Sequence, residues 1–222
     1  MARTRSQRNP AIGNEALQLF GLIPHDASHA ARVPGADLVP LREVAAVVRL
    51  SPYTRLDATS DAIAEYRRVV EESFRDHPVV PAPFGTVFRS RDSLLHWMEL
   101  HYGALVDALG FVHDRAMARL RVVPLALPAE QLTETIELRA TDFETTVFDS
   151  FRFLKRNAVA VVTFNPQSTA ARAVEASFLV DRDKWPTFEE AVREERLRLP
   201  ELEIEQSGPW PPYDFVRLQF GA

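Results

Sequence analysis

Apolar residues recur along this chain at two different intervals, and the points where one interval gives way to the other restrict the fold more than any other feature. A period of two belongs to strands and a period near 3.6 to helices. Ala116, Ala118, Leu120 and Val122 alternate with Arg115, Met117, Arg119 and Arg121, which predicts a strand with one face in a core and a mostly basic face in water. Ala45-Ala-Val-Val48 is apolar at every position, the pattern of a strand covered on both faces. Ile63, Tyr66, Val69, Val70 and Phe74 fall at helical spacing, with Thr59, Ser60 or Asp61 placed to cap the start. A chain of such alternations packs helices against sheets.

Taken in order, the first half reads as a strand over 15–23, a second extended region over 38–40 and 44–50, a helix over 57–76, an extended run over 79–89, a helix over 91–109 and the basic-faced strand. That is β-β-α-β-α-β, close to a ferredoxin-like unit. Pro124-Leu-Ala-Leu-Pro128 is the best candidate for a boundary. Beyond it, Phe143, Val147, Phe148, Phe151 and Leu154 outline a helix. Strands follow over 159–164 and 173–181, with a turn at Asn165-Pro166, then a helix on Trp185, Phe188, Ala191, Val192 and Leu199 and final strands over 202–206 and 213–220. The expected fold class is α+β: two mixed α/β domains, the first over 14–123 ferredoxin-like and the second over 124–222 a ferredoxin-like variant. A flexible basic arm over 1–13 carries Arg3, Arg5 and Arg8, and it reads either as a solvated terminus or as a contact for an acidic partner.

Charge and composition exclude several function classes. With 26 Lys+Arg against 31 Asp+Glu, the net charge of −5 gives no footprint for nucleic acid or an anionic membrane. The longest nearly unbroken apolar run, 158–164, falls far short of the ~20 residues of a membrane span, and no signal-peptide core follows the first residues. The chain therefore reads as cytoplasmic. Its lack of cysteine removes disulfides, thiolate nucleophiles and Cys-ligated metals. None of the eight glycines forms a phosphate loop, a dinucleotide fingerprint or a nucleophile elbow. His25 and His29 stand four apart, but in a Pro- and Ala-rich connection without a completing carboxylate pattern. His96 and His101 flank Glu99 five apart, which separates them around a helix. Glu71-Glu72, Glu189-Glu190 and Glu194-Glu195 read as solvated helix faces rather than as a catalytic pair. No cofactor, metal or enzymatic activity follows from these residues.

Three segments carry a resemblance. Phe84-Gly-Thr-Val-Phe88 follows a proline-spaced run, Ser177-Phe-Leu-Val-Asp-Arg-Asp183 runs from a strand into a turn, and Gly208-Pro-Trp-Pro-Pro-Tyr-Asp-Phe-Val216 lies near the end. In this order and at these separations they resemble the gas vesicle protein GvpF/GvpL family, supported by Phe20-Gly-Leu-Ile23 and the segment 41–48. Ala82-Pro83 stand where the family usually has an arginine, Val174-Glu-Ala-Ser-Phe178 departs from its Asn-Ala-Ala-Tyr, and the middle helix looks short and phenylalanine-rich. The resemblance implies a non-enzymatic accessory protein of gas vesicle formation, a minor structural component or assembly factor on the gas-facing side. The implied partners are the small, very apolar shell subunit and other gas vesicle accessory proteins. A competing reading is a ferredoxin-like protein of the dimeric α+β type that binds, or acts on, a small ligand.

Six residues stand out as partner-binding candidates. Trp210, Tyr213 and Phe215, stiffened by Pro211 and Pro212, suit either an interaction anchor or a lock of the C-terminal segment onto the fold. Phe84 suits a sheet core or a contact, and Gly85 a close backbone approach. Phe153 lies off the main stripe of its helix, as an exposed contact or a dimer seam would.

Overall fold

The computed structural model describes residues 16–28, 31–125, 136–164 and 173–216, the side chains of 136–142 excepted. The arm over 1–13 and the Asn165-Pro166 turn lie outside the described residues. Two antiparallel sheets, each with its own helices, divide the chain into units that meet between Gly110 and Phe111.

The first unit contains β1 (Ala16–Pro24), β2 (Asp37–Leu41), β3 (Val44–Ser51), α1 (Ser60–Asp76), β4 (Val80–Pro81), β5 (Val87–Phe88), α2 (Arg91–Leu100) and most of α3 (Tyr102–Val112). Its sheet runs β2-β3-β1-β4, with β5 also paired to β1. Val44 to Val48 are essentially inaccessible, as a strand apolar on both faces requires. Thr59 caps α1 by accepting from the Ala62 N–H, and Ser90 with Ser93 forms a capping box at α2. The run expected over 79–89 is mostly a turn. Thr86 donates its N–H to the Pro83 oxygen around Gly85 at φ +82°, and only two short pairings with β1 flank it. The single helix expected over 91–109 breaks at His101, which lies outside helical geometry at φ −108°, ψ 9°.

The second unit contains β6 (Arg115–Pro124), α4 (Ile136–Leu154), β7 (Ala160–Phe164), β8 (Val174–Asp181), α5 (Trp185–Arg198) and β9 (Leu202–Trp210), in sheet order β7-β8-β6-β9. The strand expected to close the first unit is thus an inner strand of the second sheet, and the units divide ahead of it rather than at residues 123–124. The β-β-α-β-α-β order read for the first half depended on that strand. The reason is pairing: β6 meets β8 from Arg115↔Asp181 to Val122↔Val174 on one side and β9 on the other. Ala118, Leu120 and Val122 of β6 join Ala176, Phe178 and Val180 of β8 in a core covered by α4 and α5. Phe178 is its hub, with Phe151 of α4 at 5.7 Å edge-on and Phe188 of α5 at 5.3 Å.

One carboxylate is buried in this helix layer. Glu195 accepts from Ser150 Oγ at 2.6 Å and from Arg198 Nε at 2.9 Å. Burial alone would raise its pKa, but the hydrogen bonds from Arg198 and Ser150 outweigh that and hold the carboxyl below its usual range.

β9 runs on through Gly208 to Trp210, and at Gly208 the backbone packs closely against β6. At Gly208 φ is +123°, and an added Cβ would lie 2.6 Å from the Met117 oxygen and 3.1 Å from the Trp185 ring. The final strand expected over 213–220 is instead a turn at Tyr213–Phe215, because Pro211 and Pro212 offer no N–H; residues beyond 216 lie outside the described set. Gly208→Ala is expected to destabilise the protein by about 2 kcal/mol or more, read as a loss of about 4–8 °C in thermal midpoint. Gly103→Ala, on the open surface of α3 with nothing within 4 Å, is expected to stabilise it by about 0.5–1 kcal/mol. Thermal unfolding of the two variants checks both signs.

Candidate functional site

Alternation on β6 sends Arg115, Arg119 and Arg121 to the sheet face opposite the helices. Two of them find carboxylates on neighbouring strands. Arg115 pairs with its cross-strand neighbour Asp181 at 3.0 Å, and Arg121 lies between Glu205 at 3.0 Å and Glu175 at 3.9 Å, its neighbours on either side. Hydrogen bonds from Lys184 and Arg115 hold the Asp181 carboxyl below its usual range.

Arg119 is different. Its neighbours in register are Ser177 on β8 and Ser207 on β9, neither charged. Its counter-charge comes from the C-terminal segment: Asp214 Oδ2 lies 2.6 Å from Arg119 Nη2 and accepts from Ser177 Oγ at 2.7 Å. The same guanidinium lies over the Phe164 ring of β7 at 5.7 Å. Asp214 therefore fastens the segment after β9 across the sheet face. Pro211 and Pro212 are buried there, and the Tyr213 and Phe215 N–H groups close tight turns on the Pro211 and Pro212 oxygens at 2.8 and 3.2 Å.

The six candidates do not converge on one place. Phe84 and Gly85 belong to the first unit, where Phe84 packs edge-on against Tyr66 at 5.7 Å and Gly85 makes the turn. Nothing lies within 4 Å of a Cβ added at Gly85, so its backbone angle, not a close approach, demands glycine. Tyr66 donates its buried hydroxyl to the Ala82 oxygen, and burial pushes its pKa up to about 12. Phe153 is half-buried against the helix-side core with the Arg156 guanidinium over its ring at 5.7 Å. The exposed phenylalanine of α4 is Phe148, at 38%. An exposed Phe153 is therefore corrected: the helix turns that residue toward the core and its neighbour five positions earlier outward. Tyr213 and Phe215 are half-buried in the fastened segment, while Trp210 keeps 37% of its surface, its indole N–H donating to Ser207 Oγ at 3.1 Å.

Arg119, Ser177 and Asp214 stand in a strand and two motifs of the sequence, but nothing there brought them together as a site; Ser177 left one signal, as the one polar residue within Ala176–Val180. Among the described residues no group of three His, Asp or Glu side chains could hold a metal, and no helix is long and apolar enough to cross a membrane. His29 lies outside those residues.

These features define a two-sheet α+β protein whose second sheet carries a charge-paired outer face crossed by a proline-stiffened segment. Solved structures share that fold. The crystal structure of GvpF from Anabaena sp. PCC7120 superposes with a TM-score of 0.76 at 14% identity, covering 93% of this chain and 100% of that one. GvpF from Microcystis aeruginosa gives 0.69 at 14%, covering 91% and 99%. In sequence, the chain is 23% identical over 219 residues to gas vesicle protein F1 of Halobacterium salinarum, covering 94% of this chain and 96% of that protein. It is 28% identical over 216 residues to gas vesicle protein F2 of the same organism, covering 93% and 94%. The model of the gas vesicle synthesis protein GvpL/GvpF family matches residues 18–145 and 129–217. The chain belongs to the GvpL/GvpF family.

Removing the Asp214 charge leaves Arg119 facing only serines. Asp214→Ala is expected to destabilise the protein by about 1–2 kcal/mol, the range of a charge-assisted hydrogen bond at a partly exposed site. It is also expected to expose the segment after Trp210 to protease. In a double-mutant cycle, Arg119→Ala and Asp214→Ala are expected to be non-additive by about 1 kcal/mol, measured by denaturant unfolding.

Proposed function

We propose that this protein is a gas vesicle accessory protein, a minor structural component or assembly factor that binds the hydrophobic shell subunit and makes or breaks no covalent bond. The observation that carries this reading is the family match, which spans residues 18–145 and 129–217 and so nearly the whole chain. The relatives' names, gas vesicle proteins F1 and F2, point the same way. The proposed place of action is the cytoplasm and the gas-facing side of the vesicle, with other gas vesicle accessory proteins as further partners.

The physical task is plain. A shell of strongly apolar subunits aggregates before it assembles unless something covers its sheet edges and apolar helices. Trp210 suits such contact, since a large, rigid aromatic held at its indole nitrogen loses little entropy on binding. Tyr213 and Phe215 support it from the fastened segment, and Phe153 backs the helix layer. For Phe84 and Gly85 we propose a structural part, carried by the Tyr66 contact and the turn. A ferredoxin-like reading of the second unit is supported by its β-α-β-β-α-β order with β6 and β8 inside and β7 and β9 outside.

Co-expression with the shell subunit tests the proposal. The tagged protein is expected to capture that subunit, Trp210→Ala to weaken capture about tenfold, the scale of a single anchor residue, and deletion of the gene to abolish vesicles. Failure to capture the shell subunit, or turnover of a metabolite by the purified protein, would contradict it.

A further inference from the structure

The longest nearly unbroken apolar run of the chain, 158–164 with only Thr163 interrupting it, lies where such a run is least expected. A strand without charge or alternation normally sits inside a sheet, covered on both faces. Ala160–Phe164 instead forms β7, which among the described residues pairs with β8 alone, at the margin of the second sheet. The pairing begins one residue earlier, where Val159 donates its N–H to the Leu179 oxygen at 2.7 Å, and Val159 is itself 41% exposed. An open strand edge is a template for another strand, and proteins blunt such edges with charge, proline, bulges or extreme shortness.

Every other marginal strand among the described residues is blunted in one of these ways. β2 carries Asp37 and Pro40, while β4 and β5 are two residues each. β9, the opposite margin of the same sheet, carries Glu203, Glu205 and Pro209, and its pairing with β6 is irregular between Met117 and Arg119. β7 has no charge, no proline and no irregular register against β8. Among the described residues one margin is guarded and the other is not, as a sheet built to be extended in one direction requires.

We propose that β7 is the docking edge of this protein, and that its occupant is an extended, uncharged segment of the apolar shell subunit, which adds to the second sheet as a further strand. This rests on the function proposed above and names the element that performs it. Main-chain hydrogen bonds to β7 give the contact its strength. The absence of charge over six consecutive positions from Val159 to Phe164 selects a neutral strand, because a charged one would lose solvation without a counter-charge.

The test uses the full-length protein and the shell subunit as probe. Val159→Lys/Thr163→Lys places two positive charges on the edge at exposed positions, so the fold is expected to survive with an unchanged circular dichroism spectrum. Thr163→Lys alone is the milder form. Capture of the shell subunit is expected to fall at least tenfold in the double variant and to be unaffected by Glu203→Lys/Glu205→Lys at the opposite margin. Undiminished capture by the folded β7 variant would overturn the docking edge while leaving the function reading intact. No capture by the unaltered protein would overturn both. A dimer of the unaltered protein, seen by light scattering and dissolved by the lysines, would assign the edge to a second copy of this chain and overturn the choice of occupant.

Discussion

The side chains of β6 face two ways, and the second unit is organised by how each set is satisfied. Toward the helices, Ala118, Leu120 and Val122 enter a core centred on Phe178. Toward the other face, three arginines need counter-charge, since a partly buried guanidinium without one is costly. Asp181, Glu175 and Glu205 supply it at the two ends of the strand, from neighbours in register. In the middle the ladder offers only serines, and Asp214 completes it from outside the sheet. The position of the C-terminal segment thus follows from a single unmet charge on an inner strand. Gly208 lets the chain turn close enough to the Met117 oxygen for that contact to form.

The same organisation separates structural from available aromatic residues. Pro211 and Pro212 are buried and Tyr213 and Phe215 half-covered, so the conspicuous terminal motif is largely spent on holding itself in place. Trp210, at the end of β9 and ahead of the Asp214 contact, keeps its exposed face. In the first unit a parallel network acts at the surface. Glu65 accepts from Arg68 at 2.8 Å and from Arg49 at 2.7 Å, and these bonds pull its carboxyl down to about 2. Arg49 also donates to the Gly35 oxygen, tying the segment before β2 to β3 and α1.

Much of this was legible in the residues. The period-two pattern from Arg115 to Val122 marked a strand and its two faces, and the uniform run at Ala45–Val48 marked a covered one. What that pattern could not carry was the identity of the strand's neighbours. Periodicity is local, whereas β6 pairs with residues about fifty to ninety positions further on, which is why the boundary between units was expected after it rather than before it. The Phe84–Phe88 motif misled for a related reason: apolar content suggested strand, but Gly85 with Pro83 made a turn. On α4, stripe counting exchanged the roles of Phe148 and Phe153, because the helix packs against both the sheet and α5 and so buries more than one narrow stripe. Asp214 was hidden because a lone carboxylate in a proline-rich segment signals nothing until its partner is placed.

A protein whose inner-strand arginines are paired internally, and whose one unguarded strand edge among the described residues is neutral and apolar, is suited to covering another polypeptide. Amide hydrogen exchange, recorded with and without the shell subunit, addresses that idea at the level of single strands. The account predicts that exchange slows at the β7 amides between residues 160 and 164 when the subunit is present, and that the β9 amides from Leu202 to Ser207, ahead of Trp210, are unchanged. Protection confined to Leu202–Ser207 or to the first unit, with β7 exchanging as freely as in the isolated protein, would contradict it.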